Sequence, residues 1–231
     1  MTKKHEGGLT TKEKIKIIQD FKKNNPNGKV VLTGGETMLK YDEFFSLSKE
    51  CLKLGLVCAT NTNASLINDE NIEKVLKNGP KYLVVSLDSC IEKCHDYSRG
   101  INGSFKHTID ILDKMVKMKK LKDYKTEIIT NSVIYDMNIN NLSDYITFAE
   151  SLGIDGCIFQ MISRTFFRKG ARDVFFEKHF FKDKKNALSR MQEIIDNLDE
   201  HKIIRTTHSL EMLVLNWQNS IMSHLPIMIV R

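Results

Sequence analysis

The sequence predicts an α/β fold built from repeated strand–helix units. Three observations lead there. Short β-branched runs recur at Lys29–Thr33, Leu56–Asn61, Tyr82–Leu87, Glu127–Ile134 and Gly156–Met161. Their near-continuous apolar character suits strands buried on both faces, as in a parallel sheet. Between them lie stretches with helical periodicity, so strand and helix alternate. The chain has 231 residues, 41% of them hydrophobic and 28% charged, enough for one large domain with a substantial core. The spacing suits either a doubly wound open sheet or a barrel.

The elements follow in order. Ile15, Ile18 and Phe21 share one face of a helix beginning near Thr11, with Thr10 or Thr11 as its cap. Phe44, Leu47 and Leu52 mark a second helix, and Ile72, Val75 and Leu76 a third that starts near Asn68. Phe105, Ile109, Leu112 and Val116 give a fourth, capped by Ser104. Leu142, Tyr145, Phe148, Ala149 and Leu152 give a fifth, which stops at Gly153. Beyond Ser163 the alternation ends. Residues 183–200 read as an amphipathic helix with Leu188, Met191, Ile195 and Leu198 inward, and Ser209–Asn219 as a further helix. The apolar run Pro226-Ile227-Met228-Ile229-Val230 reads as a strand or buried segment.

Composition narrows the function. No apolar run approaches the roughly 18 residues of a membrane span, and Met1–Gly8 has no apolar stretch of the secretory kind. The net charge of +6 is compatible with anionic ligands without requiring nucleic acid. The run Lys117-Met118-Lys119-Lys120-Leu121-Lys122 reads as a solvated helix end rather than an RNA site. The five cysteines, Cys51, Cys58, Cys90, Cys94 and Cys157, are too sparse for a disulfide scaffold and form no Cys-x-x-Cys pair, which fits a reducing cytoplasm.

Ligands of parallel α/β folds sit at the carboxyl ends of the strands. There the sequence places Thr33-Gly34-Gly35-Glu36-Thr37, whose glycines admit a ligand close to the backbone and whose carboxylate suits an ammonium. The second strand ends in Thr60-Asn61-Thr62-Asn63. The third ends in Val84-Val85-Ser86-Leu87-Asp88, where period two puts Ser86 and Asp88 on one side. A short loop with His95-Asp96-Tyr97-Ser98-Arg99-Gly100 follows, its arginine suited either to a carboxylate ligand or to an ion pair with Asp96. Asn131 lies in an apolar strand and needs a partner, and Cys157-Ile158-Phe159-Gln160-Met161 offers backbone groups and an aromatic face to a planar ring.

In series these features resemble the radical S-adenosylmethionine enzymes, in the branch that carries a C-terminal SPASM or twitch extension. The likeness runs from about Thr10 to about Ile162, and its most specific parts are Gly34–Glu36 and Ser86–Gly100. It implies a partial (β/α) barrel of six parallel strands, of which the first is missing here. It also implies a 4Fe-4S cluster and cleavage of S-adenosylmethionine to a 5′-deoxyadenosyl radical that abstracts hydrogen. Carried over, Gly34, Gly35 and Glu36 hold the cofactor's amino group, and Ser86 and Arg99 its carboxylate. Thr60 and Asn61 line the same pocket, and Asn131 with the Phe159–Met161 backbone meets the ribose and adenine. Thr37 stands where the family usually has proline.

The cluster-binding Cys-x-x-x-Cys-x-x-Cys loop does not occur in the sequence, and none of the five cysteines substitutes for it. No cysteine lies beyond Cys157 for an auxiliary cluster either. The expectation is therefore a piece cut from both sides, with residues 1–162 as the barrel core and 163–231 as a C-terminal extension of strand and helices. The resemblance implies a peptide or protein substrate for the complete enzyme. The other reading is a non-catalytic binding barrel that kept the fold without the cluster.

Overall fold

The computed structural model describes residues 8–163, 174–197, 200, 202–205 and 229–230. In chain order the elements are α1 (Thr11–Asn24), β1 (Lys29–Leu32), α2 (Tyr41–Lys53), β2 (Val57–Thr62), α3 (Ile72–Asn78), β3 (Tyr82–Ser86), α4 (Glu92–Arg99), α5 (Ser104–Lys122), β4 (Glu127–Ile134), α6 (Leu142–Ser151), β5 (Gly156–Met161), α7 (Val174–His179), α8 (Lys184–Asp196) and β6 (Ile229–Val230). One sheet has the order β5-β4-β3-β2-β1-β6 with every pair parallel. Strands β1 to β5 step across it in sequence order, each crossing back through helix, as right-handed βα units require. This is the partial barrel expected, with all five predicted strands in place.

The local causes are legible in the side chains. Thr10 closes a capping box on α1: the Glu13 amide donates to its hydroxyl at 3.3 Å, and the Thr10 amide donates to the Glu13 carboxylate at 2.7 Å. In α2 the buried stripe is Phe44, Leu47, Ser48 and Cys51, whereas Leu52 is 48% exposed. A helix turns 3.6 residues at a time, so position 51, not 52, returns to the face of Phe44. Ser104 is the first residue of α5 and not its cap; Asp96 of α4 reaches across to do that work. The predicted loop around His95 is the helix α4, closed by Gly100 at φ 68°.

The C-terminal part is partly as expected. Asp183 caps α8 through the Asn186 amide at 2.9 Å, and Ala187, Met191 and Ile194 are its buried residues. Leu188 and Ile195 pack at the core margin, while Leu198 and the helix expected at Ser209–Asn219 lie outside the described residues. Of the run 226–230, Ile229 and Val230 pair with Val31 and Leu32 at the edge of β1. Among the described residues no helix is long and apolar enough to cross a membrane.

Candidate functional site

Alternation along the strands sorts the sheet into two faces. Val30, Leu32, Cys58, Thr60, Thr62, Leu83, Val85, Ile128, Thr130, Ser132, Cys157 and Phe159 are buried, and Tyr145 of α6 meets Thr130 and Phe159 there, so this face looks to the helices. The opposite, concave face carries Asn61, Val84, Ser86, Asn131, Val133, Ile158 and Gln160. The register makes lateral neighbours of Asn61 and Val84, of Ser86, Asn131 and Ile158, and of Val133 and Gln160. Asn61 and Gln160 are exposed, Ser86 and Asn131 half-buried.

Two predicted residues fall on the other face. Thr60 is fully buried, and its hydroxyl donates to the Leu32 carbonyl at 2.9 Å, so its side chain does not line the concave pocket. The Phe159 ring packs edge-on against Tyr145 at 5.6 Å and offers no aromatic face to a ligand; only its backbone remains for that role. Gln160, its neighbour, faces the concave side. Period two along β5 carried that signal.

The first rim turn is open at its glycines. A Cβ placed on Gly34 or Gly35 would meet nothing within 4 Å, and both residues are exposed. Glu36 is different. One carboxylate oxygen accepts from the Met38 amide at 3.1 Å and the Thr62 hydroxyl at 2.8 Å, the other from the Asn63 amide at 2.8 Å. The carboxylate thus ties the ends of β1 and β2 together. Thr37 adds a second tie, donating from its hydroxyl to the Asn61 carbonyl at 3.1 Å. A cavity of about 280 Å³ opens beside this turn, with Lys14, Lys40 and Glu43 on its helical wall.

Asp88, only 3% exposed, organises the second half of the rim. One carboxylate oxygen receives the Arg99 guanidinium at 2.7 Å and the Val133 amide at 3.1 Å; the other receives the Ser98 hydroxyl. Its carbonyl accepts from Ser132 at 3.0 Å and Asn138 at 2.6 Å, and its amide donates to His95 Nδ1 at 3.1 Å. Arg99 is therefore paired with Asp88, not with Asp96 as one sequence alternative had it. Asp96 instead accepts from the Gly103 amide at 2.6 Å, the Ser104 hydroxyl at 2.8 Å and the Phe105 amide at 2.8 Å. These bonds, first that from Phe105, hold its carboxyl below the usual carboxylate range.

Two buried polar atoms here have no partner among the described residues: Nε of Arg99 and Oδ1 of Asn131. A buried donor or acceptor without a partner costs roughly 1–3 kcal/mol, which a ligand can recover. Beyond Asn131, a cavity of about 290 Å³ is lined by Val133, Gln160, Met161, Ile162, Ser163, Phe175 and Phe176. Its aromatic wall comes from α7, an element the periodicity did not reveal. The donor set suits S-adenosylmethionine: exposed glycine backbone for an ammonium, a guanidinium edge for a carboxylate, and an amide with a half-apolar cavity for ribose and adenine.

The cysteines do not suit an iron–sulfur cluster. Cys51, Cys58, Cys94 and Cys157 are buried, and Cys94 Sγ contacts the Tyr135 hydroxyl at 3.2 Å. Cys58, hydrogen-bonded to Cys51 and out of water, has its thiol pushed up, and burial pushes Cys157 up to about 12. Cluster ligands must be thiolates, which the Cys58 and Cys157 sites disfavour, and among the described residues no three ligand side chains converge on a metal position. The basic end of α5 is largely spent in ion pairs, Lys117 with Asp113, Lys119 with Asp155 and Lys122 with Glu73.

The fold is that of a radical S-adenosylmethionine partial barrel, and the sequence agrees: the family described as the Radical SAM superfamily matches residues 2–149, more than half of the chain. The chain belongs to that superfamily. Among curated proteins it is 28% identical over 153 residues to an AdoMet-dependent heme synthase of Oleidesulfovibrio alaskensis, covering 66% of this chain and 37% of that one. It is 23% identical over 149 residues to a pre-heme d1 synthase of Dinoroseobacter shibae, covering 64% and 35%. Among solved structures it resembles Streptococcus suis SuiB (TM-score 0.65, 17% identity, 87% of this chain and 43% of that one). It also resembles anSMEcpe with bound AdoMet (TM-score 0.61, 17% identity, 91% and 59%). The matched stretch thus spans well under half of these curated relatives.

Proposed function

We propose that this chain is the cofactor-binding barrel of a radical S-adenosylmethionine enzyme whose complete form modifies a peptide or protein. The observation that carries the reading is the unpartnered Asn131 Oδ1, set between Ser86 and Ile158 on the concave face of a chain from this superfamily. Gly34 and Gly35 would hold the cofactor's ammonium by their backbone, and the unpaired edge of Arg99 with Ser86 its carboxylate. Asn131 and the Phe159–Met161 backbone would hold the nucleoside. Asp88 fixes the Arg99 plane, and Glu36 fixes the turn that presents the glycines. When bound and reduced, S-adenosylmethionine supplies a carbon radical that abstracts hydrogen.

For the substrate, SuiB is described bound to the precursor peptide SuiA and anSMEcpe bound to peptides, and both share this fold. The curated relatives are named heme synthases, so a tetrapyrrole is the competing occupant. A second reading, a binding barrel without radical chemistry, draws support from the cysteines, four of which are buried and none of which gathers with two other ligand side chains among the described residues.

Calorimetric titration of the chain with S-adenosylmethionine should give weak binding, of the order of 1 mM, equivalent to about −4 kcal/mol. Asn131→Ala should weaken it about tenfold, the loss of one good hydrogen bond. Absence of binding, or binding indifferent to Asn131→Ala, would overturn the site. Anaerobic treatment with iron and sulfide should build no stoichiometric 4Fe-4S chromophore on these cysteines; its appearance would reverse the reading of the thiols. Saturable capture of a porphyrin, with none of peptides, would replace the peptide assignment by the tetrapyrrole one.

A further inference from the structure

A second constellation lies outside the cofactor rim, where α4, the end of β4 and α7 meet. His179 closes α7 and is only 4% exposed. Its Nδ1 lies 2.8 Å from the Asp136 carboxylate, and its Nε2 lies 3.0 Å from the Tyr97 hydroxyl. Lys178 Nζ donates to that same hydroxyl oxygen at 2.7 Å. The Asp136 amide donates to the His179 carbonyl at 3.1 Å, so backbone and side chain both fix the imidazole. Phe175 tilts against the ring at 4.7 Å and Tyr135 packs edge-on at 5.8 Å.

The proton assignment follows from the acceptors. Asp136 accepts only, so Nδ1 carries the hydrogen and Nε2 of the neutral ring presents its lone pair to Tyr97. The Tyr97 hydroxyl then donates to Nε2 and accepts from Lys178. A carboxylate orients an imidazole, and the imidazole takes the proton of a hydroxyl; this is the arrangement that activates a hydroxyl nucleophile, with a phenol in place of an alcohol. Lys178 places a positive charge where the phenolate charge develops. Tyr97 is 42% exposed, so a ligand can reach its oxygen. A cluster that only docked α7 would need neither the lysine on the tyrosine oxygen nor an exposed phenol.

We propose that Tyr97, with His179 as proton acceptor, Asp136 as its orienting group and Lys178 as charge partner, is an activated phenol. It would attack an electrophilic acyl-type group presented beside α4 and α7. None of these four side chains is one assigned to the cofactor, although Phe175, which packs on His179, also lines the cavity beyond Asn131. With N-acetylimidazole as probe the step balances. The phenol O–H breaks as its proton passes to Nε2, the Tyr97 oxygen bonds to the acetyl carbon, the carbon–nitrogen bond to the reagent breaks, and the departing imidazole takes the proton from His179.

The test is the acetylation rate of Tyr97 in the full chain, followed by peptide mass spectrometry against N-acetyltyrosinamide in the same tube. A half-exposed tyrosine without assistance reacts more slowly than the free model; Tyr97 should react faster. His179→Phe, which keeps the ring packing, should cut the rate roughly a hundredfold, a typical size for general-base assistance. Asp136→Asn should act in the same direction. Equal or slower labelling than the model in the wild-type chain overturns the proposal, as does a rate unchanged in His179→Phe. Because the variants could loosen α7, nitrogen-15 spectra of the wild-type imidazole give an independent reading. A neutral His179 with hydrogen on Nδ1 is expected, and hydrogen on Nε2 overturns the assignment.

Discussion

His95 sits 1% exposed beneath the third strand's rim, and its buried imidazole is held neutral down to about pH 4. Removal from water is the chief cause; the nearby Asp88 opposes it and Arg99 adds to it. The Asp88 amide donates to Nδ1, which suits the neutral ring. In the unfolded chain a histidine takes its proton near pH 6.5, so below that value the unfolded state binds the extra proton first. The stabilisation is therefore complete above pH 6.5 and is lost as the pH falls toward 4. Unfolding free energies from urea titrations should drop over this window with a slope approaching about 1.4 kcal/mol per pH unit from this one group. His95→Gln should flatten it by about one proton, and an unchanged profile in that variant would show that the ring is hydrated. At this scale the sequence was only half legible. Period two separates Asn61 from Thr60 and Gln160 from Phe159, but it does not say which parity faces the helices. Asp88 reads as a rim carboxylate; that it binds the Val133 amide follows only from β3 and β4 lying side by side, and that it binds Ser98 and Arg99 from α4 folding back over the strand end.

The five strands were legible because burial on both faces leaves an apolar run that no exposed loop would carry. Helix α4 was not, since Glu-Lys-Cys-His-Asp-Tyr-Ser-Arg has no apolar stripe; it buries Cys94, His95 and Asp96 instead. Those burials have a purpose at the element scale. The first amides of α5 need acceptors, and Gly103, in the left-handed region at φ 81°, leaves the start of the helix without a capping side chain of its own. Asp96 supplies both carboxylate oxygens from the preceding helix, so α4 and α5 are joined by a cap rather than by apolar packing alone. Replacing Asp96 with Ala should raise amide exchange at Gly103 and Phe105 selectively, leaving the middle of α5 protected. Exchange that stays slow at both amides would mean that water or Ser104 satisfies them. The cavity wall made by Phe175 and Phe176 and the His179 cluster were equally hidden, because α7 is short and the cluster's partners come from positions 97, 135 and 136.

Across the whole molecule, the chain returns to the sheet after α8. The Cys157 amide donates to the Ile203 carbonyl at 2.8 Å, and the Arg205 amide donates to the Cys157 carbonyl at 2.9 Å. This short bridge covers the β5 edge, which would otherwise expose its ladder groups. Gly156 makes the approach possible. A Cβ there would stand 2.6 Å from Arg205 Cγ and 3.2 Å from the Ile203 carbonyl oxygen. Arg205 cannot swing aside without loss, because its guanidinium donates to the Asp155 carbonyl at 2.8 Å and faces Glu127 at 3.7 Å. Gly156→Ala should therefore cost about 1–3 kcal/mol, the usual range for overpacking. It should also expose the Cys157 amide to exchange, while the β4–β5 pairing at Asn131 and Phe159 stays protected. Adding Arg205→Ala removes the Cγ from the clash and should restore a large part of the Cys157 protection, a coupling that two independent sites would not show. If the double variant exchanges as fast as Gly156→Ala alone, the Ile203 carbonyl rather than the arginine sets the limit. The docking of the return segment would then depend on backbone approach alone.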